Sequence, residues 1–246
     1  MAKEFFPQIG KIPFEGTTSK NVLAFHYYEP ERVVMGKKMK DWMRFAMAWW
    51  HTLGQASGDP FGGQTRSYEW DKANDPIQRA KDKMDAGFEL MDKLGIHYFC
   101  FHDVDLIEEG ATVAEYEERM CIITDYALEK MRQYPDIHLL WGTANVFGHK
   151  RYMNGAATNP DFDVVARAVV QIKNSIDAIK QGRTVIIISH NIGQIIDADQ
   201  IYVLENGRVV QNGTPDEVYR QGGVYKDIFD ASARSMNADK IAATLG

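Results

Sequence analysis

A helix signed at both ends runs without a linker into an apolar strand, and this junction limits the folds open to the chain. Asp75 stands as N-cap with Pro76 at the first helical position, and Gly95 closes the segment Pro76 to Leu94. The next residues, Ile96-His97-Tyr98-Phe99-Cys100-Phe101-His102-Asp103-Val104-Asp105-Leu106, are aromatic and apolar and end in polar groups. Such a run reads as a buried strand that delivers His102, Asp103 and Asp105 at its carboxyl end. Side chains alternate along a strand, so His102 and Asp105 can pair only if the backbone leaves the strand by about Asp103. A carboxylate on one imidazole nitrogen fixes the tautomer and leaves the other nitrogen to exchange a proton near neutral pH. The same residues also suit a strand-end histidine satisfied by a loop carboxylate.

The pattern repeats on both sides of this junction. Val22 to Tyr28 is a candidate strand, and Met39 to Leu53 spaces its apolar residues as an amphipathic helix does. Thr112 to Arg132 reads as a helix with Thr112 and Glu115 as a capping box. Pro135 ends it, His138 to Phe147 reads as the next strand, and Asp161 to Lys180 returns to helix. Strand and helix in alternation imply an α/β fold with a parallel sheet. Phe5 to Lys20, broken by two prolines and two glycines, reads as an extended arm, and Gly54 to Gln64 as a loop.

With 246 residues the chain can bury a sizeable core. Its formal charge of −6, with no basic block, argues against nucleic acid and anionic membrane as partners. Met1 to Gly10 has no signal-peptide core, and the apolar run Val185 to Ile188 is too short to span a bilayer, so a cytoplasmic chain is expected. Cys100 and Cys121 are the only cysteines and read as reduced packing residues.

Several stretches resemble the longer-form xylose isomerases. They are Phe99-Cys100-Phe101-His102-Asp103-Val104-Asp105, Leu139-Leu140-Trp141-Gly142-Thr143-Ala144-Asn145-Val146-Phe147, and Arg151 to Thr158. Phe45 to Thr52, Asp59 to Gly62 and Asp161 to Ala168 fit in the same order, so the resemblance runs from about Phe5 to about Lys180. It implies the first half of a (β/α)₈ TIM barrel. It also implies an enzyme that opens a cyclic aldose such as xylose and shifts a hydride, with Mg²⁺, Mn²⁺ or Co²⁺ polarising the sugar oxygens. By that resemblance His102 assists ring opening, Asp105 orients it, and Trp50, Trp141 and Phe147 wall the sugar. Thr143 is a candidate polar contact, and Phe61 matches a loop phenylalanine that enters a neighbouring subunit's site. The family's metal carboxylates lie beyond the matched stretch, so no metal ligand is assigned. Asp103, Asp105, Glu108 and Glu109 read instead as acids of a solvated loop.

Near Gln181 the likeness changes. Gly182 to His190, Ile195 to Val210 and Gly213 to Val218, continuing to about Ala233, are similar to the end of an exporter-type ABC-transporter ATP-binding domain. Read from the residues, Thr184 to Ser189 is a buried apolar strand, Ile201 to Leu204 with Arg208 to Gln211 a hairpin across Glu205-Asn206-Gly207, and Thr214-Pro215 opens a helix; the resemblance implies in addition a contact from His190 to the γ-phosphate of ATP. No Gly-x-x-x-x-Gly-Lys-Ser/Thr occurs anywhere in the chain, so ATP hydrolysis by it alone is not expected. The expected layout is a partial barrel over 1–181, an ABC-like segment over 182–234 and a tail over 235–246. Half a barrel leaves strand edges and an inward face uncovered, which predicts marginal stability or self-association, and the lack of the family's metal carboxylates predicts a chain of isomerase descent with incomplete chemistry. Val185 to Ile188 is an expected occupant of the next strand position.

Overall fold

The computed structural model describes residues 3–54, 67–180, 195–196 and 198–231, and the chain divides into two compact units, Met1–Arg183 and Thr184–Gly246. Phe61, His190 and the run Val185 to Ile188 lie outside the described residues.

In the first unit three strands, β1 (Ala46–Ala48), β2 (Tyr98–His102) and β3 (His138–Thr143), lie side by side in chain order and pair in parallel. Parallel neighbours need a crossover, and two helices supply it: α1 (Pro76–Leu94) between β1 and β2, and α2 (Val113–Gln133) between β2 and β3. α3 (Phe162–Lys180) follows β3. Three strands in order, with helices between them, are compatible with part of a TIM barrel.

Local chemistry explains the helix ends. The Asp75 side chain accepts the Gln78 amide at the start of α1, and Gly95 ends it in the left-handed region with φ 67°. An added Cβ at Gly95 meets nothing within 4 Å, so the cost of a side chain there is backbone strain alone. Gly95→Ala is expected to lower stability by about 1 kcal/mol in urea unfolding, without disturbing neighbours. Thr112 accepts the Glu115 amide, while the Glu115 carboxylate turns to the Ala111 amide, so only half of the expected capping box forms.

The core lies between the sheet and its helices. Phe99 and Phe101 of β2 and Leu139 of β3 face Phe88 and Met91 of α1 and Tyr116, Met120 and Ile123 of α2. Trp49 stacks on Phe99 at 5.2 Å and meets the edge of Phe88. Each fully buried aromatic removes on the order of 200 Å² from water, which makes this cluster the main source of stability. Gly142 is required by the same layer: a Cβ there would lie 2.9 Å from the Phe101 ring and 3.1 Å from Ile179.

A bulge breaks the β2–β3 register. Phe99 pairs with Leu139 but Cys100 pairs with Trp141, leaving Leu140 as the extra residue. Leu139 and Trp141 would otherwise share a face. The bulge leaves Leu139 among the helices at 8% exposure and brings Trp141 to the other face at 42%.

Two expectations about the amino-terminal region are corrected. Met39 to Leu53 is not one helix: it comprises a single helical turn at Met39–Trp42, strand β1 and a second single helical turn at Trp49–Thr52. The apolar spacing that mimics a helix arises because β1 is apolar on both faces, as parallel strands are. Val22 to Tyr28 is not a strand either; among the described residues its one ladder contact is a bridge from Phe25 to Phe14. The arm before it does lie on other structure, with the Phe5 and Phe6 amides donating to Glu89 of α1. The strand at His138 is shorter than expected and ends at Thr143. Cys100 is buried, which pushes its thiol pKa up, whereas Cys121 is exposed on α2 and is no packing residue.

The second unit contains a hairpin, β4 (Ile201–Glu205) and β5 (Arg208–Gly213), turned by Asn206 and Gly207 at φ 49° and 75°. Both positive values suit the two-residue turn between antiparallel strands. A reciprocal capping box between Thr214 and Glu217 opens α4 (Pro215–Gln221). Ile201, Val218 and Tyr225 form its small core. Among the described residues no helix is long and apolar enough to cross a membrane.

Candidate active site

The site stands at the carboxyl end of β2, where the chain leaves the strand at Asp103 into the short turn Asp103–Leu106. This departure brings Asp105 back under His102. One carboxylate oxygen, Oδ2, accepts the His102 backbone N–H at 2.7 Å and meets His102 Nδ1 at 3.1 Å. A carboxylate oxygen has no proton to give, so Nδ1 bears the hydrogen and Nε2 is the basic nitrogen. Both side chains are mostly enclosed, at 15% and 11% exposure. Among the described residues no group engages Nε2.

Aromatic rings surround that imidazole. Trp50, from the turn after β1, lies 4.7 Å from the His102 ring centre and 5.5 Å from Trp141. Phe147, from the loop after β3, presents its edge relationship to His102 at 5.6 Å, and Trp141 lies at 6.3 Å. Thr143 pairs with His102 in register, at the end of β3. The structure thus brings together His102, Asp105, Trp50, Trp141 and Phe147, with Thr143 beside them. The two outer rings remain open to ligand, Trp141 at 42% and Phe147 at 67% exposure. Apolar ring faces beside one proton-exchanging nitrogen suit a small polyhydroxylated molecule, whose C–H faces stack while its hydroxyls bond.

Of the acids after the strand only Glu108 is solvated as expected; Asp103, Asp105 and Glu109 are enclosed. Asp103 is fully buried: Oδ2 accepts the Tyr116 hydroxyl at 2.6 Å and Oδ1 accepts the Asn145 backbone N–H at 2.7 Å. Burial, reinforced by the Asp103 charge, pushes the Tyr116 hydroxyl well above its usual range, so it stays a donor. Glu108 pairs with Arg79, and Glu109 with both Arg151 and Arg167. Sequence reasoning missed Asp103 because its partners lie 13 and 42 residues away. A short apolar strand ending directly in an acid was the available signal.

Divalent cations need several oxygen donors in a fixed array. Among the described residues no group of three or more His, Cys, Asp or Glu could hold a metal ion, and the acids nearest His102 are already engaged. The described residues therefore do not fit such a cation, and no step is routed through one.

No family model matches the chain. A Bacteroides thetaiotaomicron protein named xylose isomerase is 67% identical to it over 176 residues, which is 72% of this chain and 40% of that protein. Xylose isomerases of Phocaeicola vulgatus and Bacteroides fragilis are 64% and 61% identical over the same length, with the same shares covered. The chain thus has homologues named xylose isomerase, at 61–67% identity over about 72% of its own length, and it spans 40% of theirs.

Proposed function

We propose that the first unit binds a cyclic aldose of the xylose type and opens its ring, and that this chain does not complete the isomerisation to a ketose. The observation that carries the reading is His102 Nε2, left basic by Asp105 and walled by Trp50, Trp141 and Phe147. In the proposed step Nε2 takes the proton of the anomeric O1 hydroxyl. The C1–O5 bond breaks as the C1 carbonyl forms, and the imidazolium returns the proton to O5. Asp105 keeps Nδ1–H in place throughout and stabilises the imidazolium by its charge. Thr143 is a polar contact to a sugar hydroxyl. The hydride shift that follows in an aldose isomerase needs its two oxygens polarised, for which the described residues provide no donor set.

Ring opening has its own assay. α-D-Xylopyranose in solution with the folded chain is expected to mutarotate faster than in buffer, while added Mg²⁺, Mn²⁺ or Co²⁺ yields no xylulose. Unaccelerated mutarotation would sink the ring-opening reading. Xylulose production would show that cation donors are recruited beyond the described residues, and would remove the claim of incompleteness.

The descent of the second unit from an ABC ATP-binding domain belongs to the same proposal. Its support is the sequence likeness over Gly182 to Ala233, with which the hairpin turned at Asn206-Gly207 and the helix opened by Thr214-Pro215 are compatible. Loss of a phosphate loop leaves little for ATP to hold. Equilibrium binding of ATP is expected to be undetectable, in the chain and in His190→Ala alike, and saturable binding that His190→Ala abolishes would establish a nucleotide module instead.

A further inference from the structure

We propose that Asp103 is a positioning residue that holds Phe147 against His102, so that one buried carboxylate sets the distance between the proton-exchanging ring and the sugar wall. The inference rests on the ring-opening reading for its meaning and on geometry for its content.

Asp103 follows His102 directly, at the strand end, and is fully buried. Its Oδ1 accepts the Asn145 N–H at 2.7 Å, across 42 residues of sequence, and so fixes the first part of the loop after β3. Asn145 then organises the rest of that loop, its side-chain oxygen accepting the Gly148 amide at 2.7 Å and the Phe147 amide at 3.4 Å. The Asn145 carbonyl is held in turn by Gln171 of α3, whose own oxygen accepts the Tyr152 hydroxyl. On the other side Tyr116 anchors Asp103 Oδ2 to α2, and the Arg167 guanidinium covers the Tyr116 ring. Asp103 therefore joins the residue that bears His102 to the loop that bears Phe147. Phe147 itself is 67% exposed and has little packing to hold it. Its 5.6 Å approach to His102 is imposed through the backbone. An amide at position 103 can still accept from Asn145 N–H through its oxygen, whereas alanine removes the joint.

The test reads the His102 ring directly, in the full chain and without sugar. In a spectrum of ¹³C-labelled histidines at fixed pH, His102→Gln identifies the His102 Cε1–H resonance, which the Trp50 and Phe147 ring currents displace. Phe147→Ala is expected to move it. Asp103→Ala should move it in the same direction and by the same amount, and the double variant should move it no further. Asp103→Asn should retain most of the wild-type displacement. A folded Asp103→Ala chain whose His102 resonance stays at its wild-type position would overturn the proposal. Where Asp103→Ala does not fold, hydrogen exchange in the unaltered chain decides. The Asn145 amide should exchange roughly 100-fold more slowly than the neighbouring Val146 amide, and equal rates would overturn the proposal as well. In mutarotation, Asp103→Ala should raise the half-saturating xylose concentration about tenfold, to the level of Phe147→Ala, with a smaller fall in the maximal rate. If His102 proves idle towards sugar while Asp103→Ala still displaces Phe147, the functional reading fails and the positioning role stands.

Discussion

His102→Gln is expected to abolish the acceleration of xylose mutarotation, a fall of about 10²- to 10⁴-fold in the catalysed rate, the range contributed by a positioned general acid–base group. Glutamine keeps the size and the hydrogen-bonding character of the ring but cannot cycle a proton. Its amide can still donate to Asp105 Oδ2, which also accepts the backbone N–H at 2.7 Å, so the turn Asp103–Leu106 should survive. The loss should therefore appear in the maximal rate, with sugar affinity changed little because Trp50, Trp141 and Phe147 remain. Polarimetry over a range of xylose concentrations separates the two. A variant that retains the wild-type maximal rate would remove His102 from the chemistry.

Phe88→Ala carries the largest expected cost to the fold. Phe88 is fully buried on α1 and touches three aromatic neighbours, Trp49, Phe99 and Tyr134, at centroid distances of 6.4, 5.5 and 5.6 Å. Removing the ring leaves a cavity that the surrounding rings are too large and too constrained to fill. The loss should be about 3–5 kcal/mol. For a domain of ordinary stability this is a large fraction of the total. Urea unfolding followed by tryptophan fluorescence measures it, because Trp49 lies in the same cluster. A loss below about 1 kcal/mol would mean that the helix layer does not rest on this residue.

Asp75, Pro76 and Gly95 bounded α1 because capping and left-handed termination are local chemistry, visible without any partner. His102 and Asp105 were readable as a pair because they are only three residues apart, and their pairing depended on one event, the exit from the strand at Asp103. The turn at Asn206-Gly207 was equally local.

Features set by distant contacts were not legible. The Met39 to Leu53 stretch shows helical spacing, yet Met47 and Trp49 are buried against α1 and β2 as parts of a parallel strand and the turn that follows. Partner choice overrode local pattern there. Asp103 looked like one more loop acid because its hydroxyl and amide donors come from α2 and from the loop after β3. Phe61 and His190, named from resemblance, fall outside the described residues, so the geometry speaks for neither.

The extra residue at Leu140 has a consequence that belongs to counting. Every side chain beyond it is assigned to one side of the sheet by ladder positions since Leu139, and not by its own chemistry. Deleting Leu140 would leave that count unchanged. Trp141 would follow Leu139 directly and still face away from the helices, and Gly142 would stay against Phe101 and Ile179. Straightening the strand with Leu140 retained would instead put Trp141 on the side of Leu139, so the tryptophan wall tolerates loss of the extra residue but not its absorption into the ladder.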